Sequence, residues 1–326
     1  MIFINYPVLN PKKNGDLKNW LKGSKTNKSD LKGYLTLHGK YPGALPKDWY
    51  SEAHQEGDTV IEVDHHRPKE NAECIKNQLT AKPENQKILD RIEAELGFSL
   101  PQEPADLLKG YHWLGKEYRN YRLSAGGTNT PKNSLFPILI GTSRLSEKVR
   151  PWQRGNEFAL LLDPCKKEDC GLLAVDKEGK IYPAYIISIS ETDFQKDPVG
   201  NWYSDTMKVI RAWTSIYVYR LNHESFDEAR KIQIRLIKWH MDNIERSVKK
   251  GQRIPYPSFF QIVNFMRGYS RYALATRSYV AFYVPSSDLT GTARYNMEKV
   301  RSNLIRAIYI LEGQSATFPN PDNLNY

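Results

Sequence analysis

The chain has three cysteines in 326 residues: Cys74, Cys165 and Cys170. An odd number with no Cys-x-x-Cys pair excludes a disulfide framework and a four-cysteine zinc site. Cys165 and Cys170, in DPCKKEDCG, read as part of a loop. There is no run of about 18 apolar residues, so no membrane-spanning helix is expected. The opening MIFINYPVLNPKK has a short apolar patch with no basic region before it, so it does not read as a secretory signal. These absences make the cytoplasm the expected location and leave the membrane out as a partner. No GxxxxGK[ST] element occurs; SAGGTN is glycine-rich but lacks that form, so a P-loop nucleotide site is not expected.

Acidic charge is also in short supply. There are 47 Lys and Arg against 37 Asp and Glu, for a formal net charge of +10. From Asn201 onward the count is 18 against 10, so most of the excess lies in the last third. A basic balance of this size favours an anionic partner, with nucleic acid first.

Residues 1–47, rich in Lys, Gly, Asn and Pro, read as an arm, with GSKTNKSDLKG as loop and DLKNWLKG as a short helix. TVIEVDHH alternates and is β-branched, which predicts a strand. AKPENQKILDRIEAELGF carries Ile88, Leu89, Ile92 and Leu96 at helical spacing and stops at Gly97. PADLLKGYHWLGKEYRNYRL reads as helix or turn leading into an extended piece. SAGGTNTPKNS reads as a loop or as a turn opening a short helix. AVDKEGKIYPAYIISIS reads as a hairpin turning at Asp-Lys-Glu-Gly. Beyond about residue 200, four long segments have helical periodicity; SFFQIVNFMRGYSRYALATRSYVAFYV is one of them. The expected division is an arm over 1–47, a catalytic unit over 48–200 and a basic helical domain over 201–326.

Histidine is scarce, at seven in the chain, yet two are adjacent in VDHHRPKEN, residues 63–71. Alone, this is compatible with a solvated strand end. Further on lie Asn120 and Asn129. A carboxylate and an amide carbonyl can hold Mg²⁺ or Mn²⁺ and leave room for water and phosphate. A neutral histidine beside them can take a proton from water. Asp64, His65 and an asparagine therefore make a minimal phosphodiesterase.

The spacing carries a resemblance. Asp64-His65-His66-Arg67-Pro68 matches D/E-H-x-x-P, and Asn120 and Asn129 match N-x8-N, with Lys132 three residues on. IEVDHHRPK, GYHWLGKEYRNYRLSAGGTNTPKNSLFPI, ALLLDP and EGKIYP also follow one another in the order seen in one bacterial branch. Over about residues 48–185 the chain resembles the HNH (ββα-metal) endonucleases of anti-phage defence systems, similar to those of Septu and of retrons. That resemblance implies an α+β fold: a ββα-metal finger with a β-containing extension, followed here by a helical C-terminal domain. It implies Mg²⁺ (or Mn²⁺) held by Asp64 and Asn129, with His66 as a further ligand. His65 would be the general base, Asn120 would hold the loop that carries it, and Arg67 and Lys132 would meet phosphate. It implies DNA as substrate, cut to a 5′-phosphate and a 3′-hydroxyl, and an ATPase or other defence-system subunit as partner. A catalytically degenerate binding subunit and an RNase are the rival readings.

Two further points complete the expectation. Relatives carry cysteine pairs that bind a structural zinc; here those positions hold Asp48 and Ser51, and Ala125 and Thr128, so no structural zinc is expected. In the last third, Arg267, Arg271 and Arg277 stand among tyrosines, which suits nucleic-acid contact or an ordinary amphipathic helix.

Overall fold

The computed structural model describes residues 1, 47–54, 60–70, 83–100, 110–115, 117–139, 157–187, 196–197, 200–201, 203–268, 270–313, 316 and 318. The expected arm, apart from Met1 and Lys47, lies outside them, as does Cys74.

The architecture mixes α and β, with two small antiparallel sheets among helices. β1 (Ile61–His65) pairs with β2 (Tyr121–Ala125) in the register Ile61↔Ala125, Val63↔Leu123, Asp64↔Arg122 and His65↔Tyr121. Side chains alternate across a strand, so each face has its own composition. Ile61, Val63, Tyr121, Leu123 and Ala125 close over Trp49 in a small apolar cluster. Asp64 shares the other face with Arg122 and Ser124. The long gap between the strands contains α1 (Pro83–Leu96), which Gly97 ends at φ +73°. That helix buries Leu89, Ile92 and Leu96, the spacing read from the sequence.

β2 runs directly into α2 (Gly126–Lys132). Two leading glycines and an internal Pro131 make this a poor helix on propensity, and at 7 residues it is too short to stand alone. Two buried side chains tie it down, Thr128 on Asp48 and Lys132 on Asp64. Gly127 sits so close to Phe226 that a Cβ there would stand 3.3 Å from the ring.

After a short α3 (Lys167–Cys170), β3 (Leu173–Val175) and β4 (Ile181–Pro183) form the expected hairpin. Its tip needs glycine. Gly179 has φ +85°, and a Cβ there would lie 2.2 Å from the Asp227 carbonyl of the helix beneath. Arg230 from that helix is buried and donates to the Gly179 carbonyl at 2.6 Å.

The last third is helical: α4 (Asp205–Val218), α5 (Glu224–Lys249), α6 (Tyr256–Met266), α7 (Ala273–Ala281) and α8 (Gly291–Glu312). The segment read as one long helix around residue 270 is two. The chain breaks over Arg267–Tyr272, where Tyr272 adopts φ +51°. The break is held from outside. Lys47 Nζ donates to the Gly268 and Ser270 carbonyls, both at 2.8 Å, and the Glu52 carboxylate accepts from the Leu274 N–H at 2.9 Å, inside the first turn of α7. Sequence periodicity carries no trace of a cap supplied from more than 200 residues away.

The largest core crosses position 200. It joins Tyr50, Ile92, Leu114, Phe136 and Leu162 to Met207, Ile210, Ile216 and Tyr219. A second core lies among α5–α8. Among the described residues no helix is long and apolar enough to cross a membrane.

Candidate functional site

Pairing β1 with β2 brings together the two halves of the motif, which lie more than 50 residues apart in the chain. Asn120 immediately precedes β2 and is 1% exposed. Its amide clamps Arg67: Oδ1 accepts from the Arg67 N–H at 2.9 Å and Nδ2 donates to the Arg67 carbonyl at 2.8 Å. Its backbone carbonyl accepts from the His66 N–H at 2.7 Å. The loop leaving His65 is thereby fixed by one side chain and its own backbone.

His65 ends β1 and is half-buried. Its Nε2 lies 3.1 Å from the Gly115 carbonyl, and its ring packs on Tyr121 at 4.5 Å between centroids. A carbonyl only accepts, so Nε2 carries the hydrogen and Nδ1 keeps the lone pair. Burial pulls the imidazole below its usual pKa, and the Gly115 bond and the Asp64 charge offset part of that shift. The result is a neutral ring with an oriented acceptor, which is what a general base requires.

Asp64 is half-buried, and its Oδ2 has no hydrogen-bond partner. The nearest cation is the Lys132 ammonium at 3.1 Å. Lys132 is fully buried; it also donates to the His65 carbonyl at 2.8 Å and to the Asn133 carbonyl at 3.4 Å. Lys132 was expected at a phosphate on the surface; instead it lies beneath β1 with its charge on Asp64. Asn129, half-buried, stands one turn earlier on α2, and residues three apart on a helix are neighbours on its surface.

His66 departs from its expected role as a ligand. It is 2% exposed, with Nδ1 3.3 Å from the Tyr50 hydroxyl and Nε2 3.9 Å from Asp163 Oδ2. Burial drives its pKa well down, against the pull of Asp163. Asp163, the aspartate of LLLDP, takes a two-point bond from Arg122 at 2.9 and 2.7 Å. Burial alone would raise that carboxyl, but Arg122 and then His66 hold it well below the usual carboxylate range. His66 therefore belongs to a buried Tyr50–His66–Asp163–Arg122 network under the strand.

Two predicted phosphate or nucleic-acid contacts are likewise interior. Arg67 is 6% exposed and bonds Glu157 at 2.8 Å between the rings of Tyr111 and Phe136. Arg277 is 0% exposed, bonding Glu312 at 2.6 Å and the Met266 carbonyl at 2.7 Å. Both are anchored because a carboxylate is buried beside them. Arg267 and Arg271 are half-buried at the α6–α7 break.

The positions that carry cysteines in the resembled family hold a polar knot. Asp48, fully buried, accepts from Ser51 Oγ at 2.7 Å, from Thr128 Oγ1 at 2.8 Å and from the Tyr50 N–H at 2.8 Å. Ser124 Oγ lies 2.8 Å from Thr128 Oγ1. Hydrogen bonds thus join the segment before β1 to the helix after β2.

Among the described residues no group of three or more His, Cys, Asp and Glu side chains is placed to hold a metal ion. The donor set at the strand end is one carboxylate with a buried, unbonded oxygen, beside a helix carrying an amide. Hard oxygen donors of this kind suit Mg²⁺ or Mn²⁺. Sequence reasoning missed the Gly115 carbonyl, Tyr121, Tyr50 and Asp163. Tyr121 was within reach, since a hairpin register anchored at Asn120 sets Tyr121 opposite His65. No family model, no curated protein and no solved structure matches this chain.

Proposed function

We propose that this protein is a metal-dependent endonuclease of the HNH type that hydrolyses phosphodiester bonds in DNA. The observation that carries the reading is the Asn120 clamp. It fixes the loop after His65, on a strand pair followed directly by a helix that bears Asn129 and Lys132. With α1 inserted between the paired strands, this arrangement of β1, β2 and α2 supports reading the unit as a ββα-metal finger. The remaining mechanism follows from the residues. His65 Nδ1 accepts a proton from water, with Gly115 and Tyr121 orienting the ring. Asp64 and Asn129 would hold a divalent cation, which supplies charge stabilisation at the phosphate and the leaving oxygen. The basic C-terminal helices bind the DNA backbone or an ATPase or other subunit of an anti-phage defence system.

One observation favours a second reading, a finger that binds without cutting: the Lys132 ammonium already neutralises Asp64. The deciding experiment incubates purified protein with supercoiled plasmid and Mg²⁺ or Mn²⁺, with EDTA and His65→Ala as controls. Metal-dependent nicking lost in His65→Ala supports the nuclease. Cleavage that survives His65→Ala sinks the assignment of the base, and plasmid bound but left intact supports the second reading. A parallel arm with single-stranded RNA separates a DNase from an RNase.

A further inference from the structure

We propose that Lys132 is a built-in counter-ion of Asp64 that a divalent cation must displace, and that the released ammonium then serves the phosphate. This rests on the reading of Asp64 as a metal ligand. Three observations point to it. Asp64 Oδ2 is buried and bonded by no hydrogen, although the Lys132 Nζ lies 3.1 Å away. An ion pair without an aligned hydrogen bond is held by charge and by its neighbours more than by directed bonding. Second, Lys132 is fully buried, and its other partners are backbone carbonyls, of His65 and Asn133. Neither carries a full charge, so among the described residues Asp64 is the charged group paired with it. Third, the stem of Lys132 starts in the last turn of α2, beside Asn129 on the helix surface. A lysine has four rotatable methylenes and can exchange partners without moving the helix.

The consequence is competition. A divalent cation on the Asp64 oxygen and an ammonium 3.1 Å from that oxygen place like charges side by side, with little water between them. One must leave. The protein without metal keeps a neutral site and a fixed strand end. Metal entry costs the Lys132 pairing, and the freed amine regains a counter-ion when a phosphodiester arrives. Metal and substrate would then bind with positive coupling through a single side chain.

The test measures metal binding without DNA. Mn²⁺ is titrated into the full-length protein, into Lys132→Met and Lys132→Gln, and into Asp64→Asn, with free Mn²⁺ read by electron paramagnetic resonance. The expected result is weak binding by the parent protein and tighter binding by both Lys132 variants. A gain of about 5- to 150-fold is the usual range for two coupled ligands. Asp64→Asn should not bind. Equal or weaker binding by folded Lys132 variants overturns the proposal while leaving Asp64 a ligand. No Mn²⁺ binding by any protein overturns the metal reading itself, and this proposal with it.

Because a buried lysine substitution can prevent folding, a second measurement uses the unaltered chain. Its lysines are acetylated with and without saturating Mn²⁺, and Lys132 is followed by peptide mass spectrometry. Protection without metal and modification with it is the expected outcome. Protection retained at saturating Mn²⁺ overturns the displacement.

Discussion

Asn120 binds both polar groups of the Arg67 backbone, the N–H at 2.9 Å and the carbonyl at 2.8 Å. Both groups are buried, so removing the amide leaves two unsatisfied atoms. Each costs about 1–3 kcal/mol. Asn120→Ala should therefore lower stability by about 2–6 kcal/mol, as read from urea unfolding at neutral pH. A loss under about 0.5 kcal/mol, the scatter of ordinary surface substitutions, would show that the clamp does not hold the loop.

The knot around Asp48 makes a second prediction. Asp48 and Thr128 are 80 residues apart and joined at 2.8 Å. A double-mutant cycle of Asp48→Ala and Thr128→Val should give a coupling of about 1–3 kcal/mol. Additive effects would mean that apolar packing alone holds β1, β2 and α2.

His66 sets an acid limit on stability. Its folded pKa is depressed, burial being the largest cause, with Arg122, Arg67 and Lys132 acting the same way and Asp163 opposing. Below about pH 6.5 the unfolded chain takes up a proton that the folded chain refuses. Stability therefore falls as pH drops from about 6.5, by at most about 1.4 kcal/mol per pH unit for this one group. Asp163, whose folded pKa is also depressed, adds a further loss only below about pH 4. Urea midpoints of the parent and of His66→Gln, compared between pH 7 and 5, should converge as pH falls. A constant difference would count against a neutral buried imidazole.

Arg277 is predicted to be structural. Arg277→Met strands Glu312 in the interior and should cost about 3–5 kcal/mol. Adding Glu312→Gln removes the stranded charge and should recover a large part of the loss in thermal unfolding. If Arg277→Met instead keeps its stability and weakens binding to duplex DNA, the side chain faces a ligand after all.

The parts of this fold written in local periodicity were legible. α1 with its Gly97 stop, the β3–β4 hairpin and the run of C-terminal helices all follow from spacing and turn residues. The break at Arg267–Tyr272 was not, because Lys47 and Glu52 impose it from the far end of the chain. At the site, the motif spacing named Asp64, His65, Asn120 and Asn129, but it could not say which basic residues face water. Arg67, Lys132 and Arg277 look alike in sequence. Their burial follows from Glu157, Asp64 and Glu312, whose positions only tertiary packing supplies.

The shared core has a consequence for the chain as an inherited unit. Tyr50 stacks on Tyr219 at 4.0 Å, and the apolar side chains of α4 share one core with Tyr50, Ile92, Leu114 and Phe136. The helical third is thus the floor on which the site stands. A gene fragment ending near residue 200 would encode an open half-core, so the strand pair of this protein cannot be exchanged between genes without the helices that follow it.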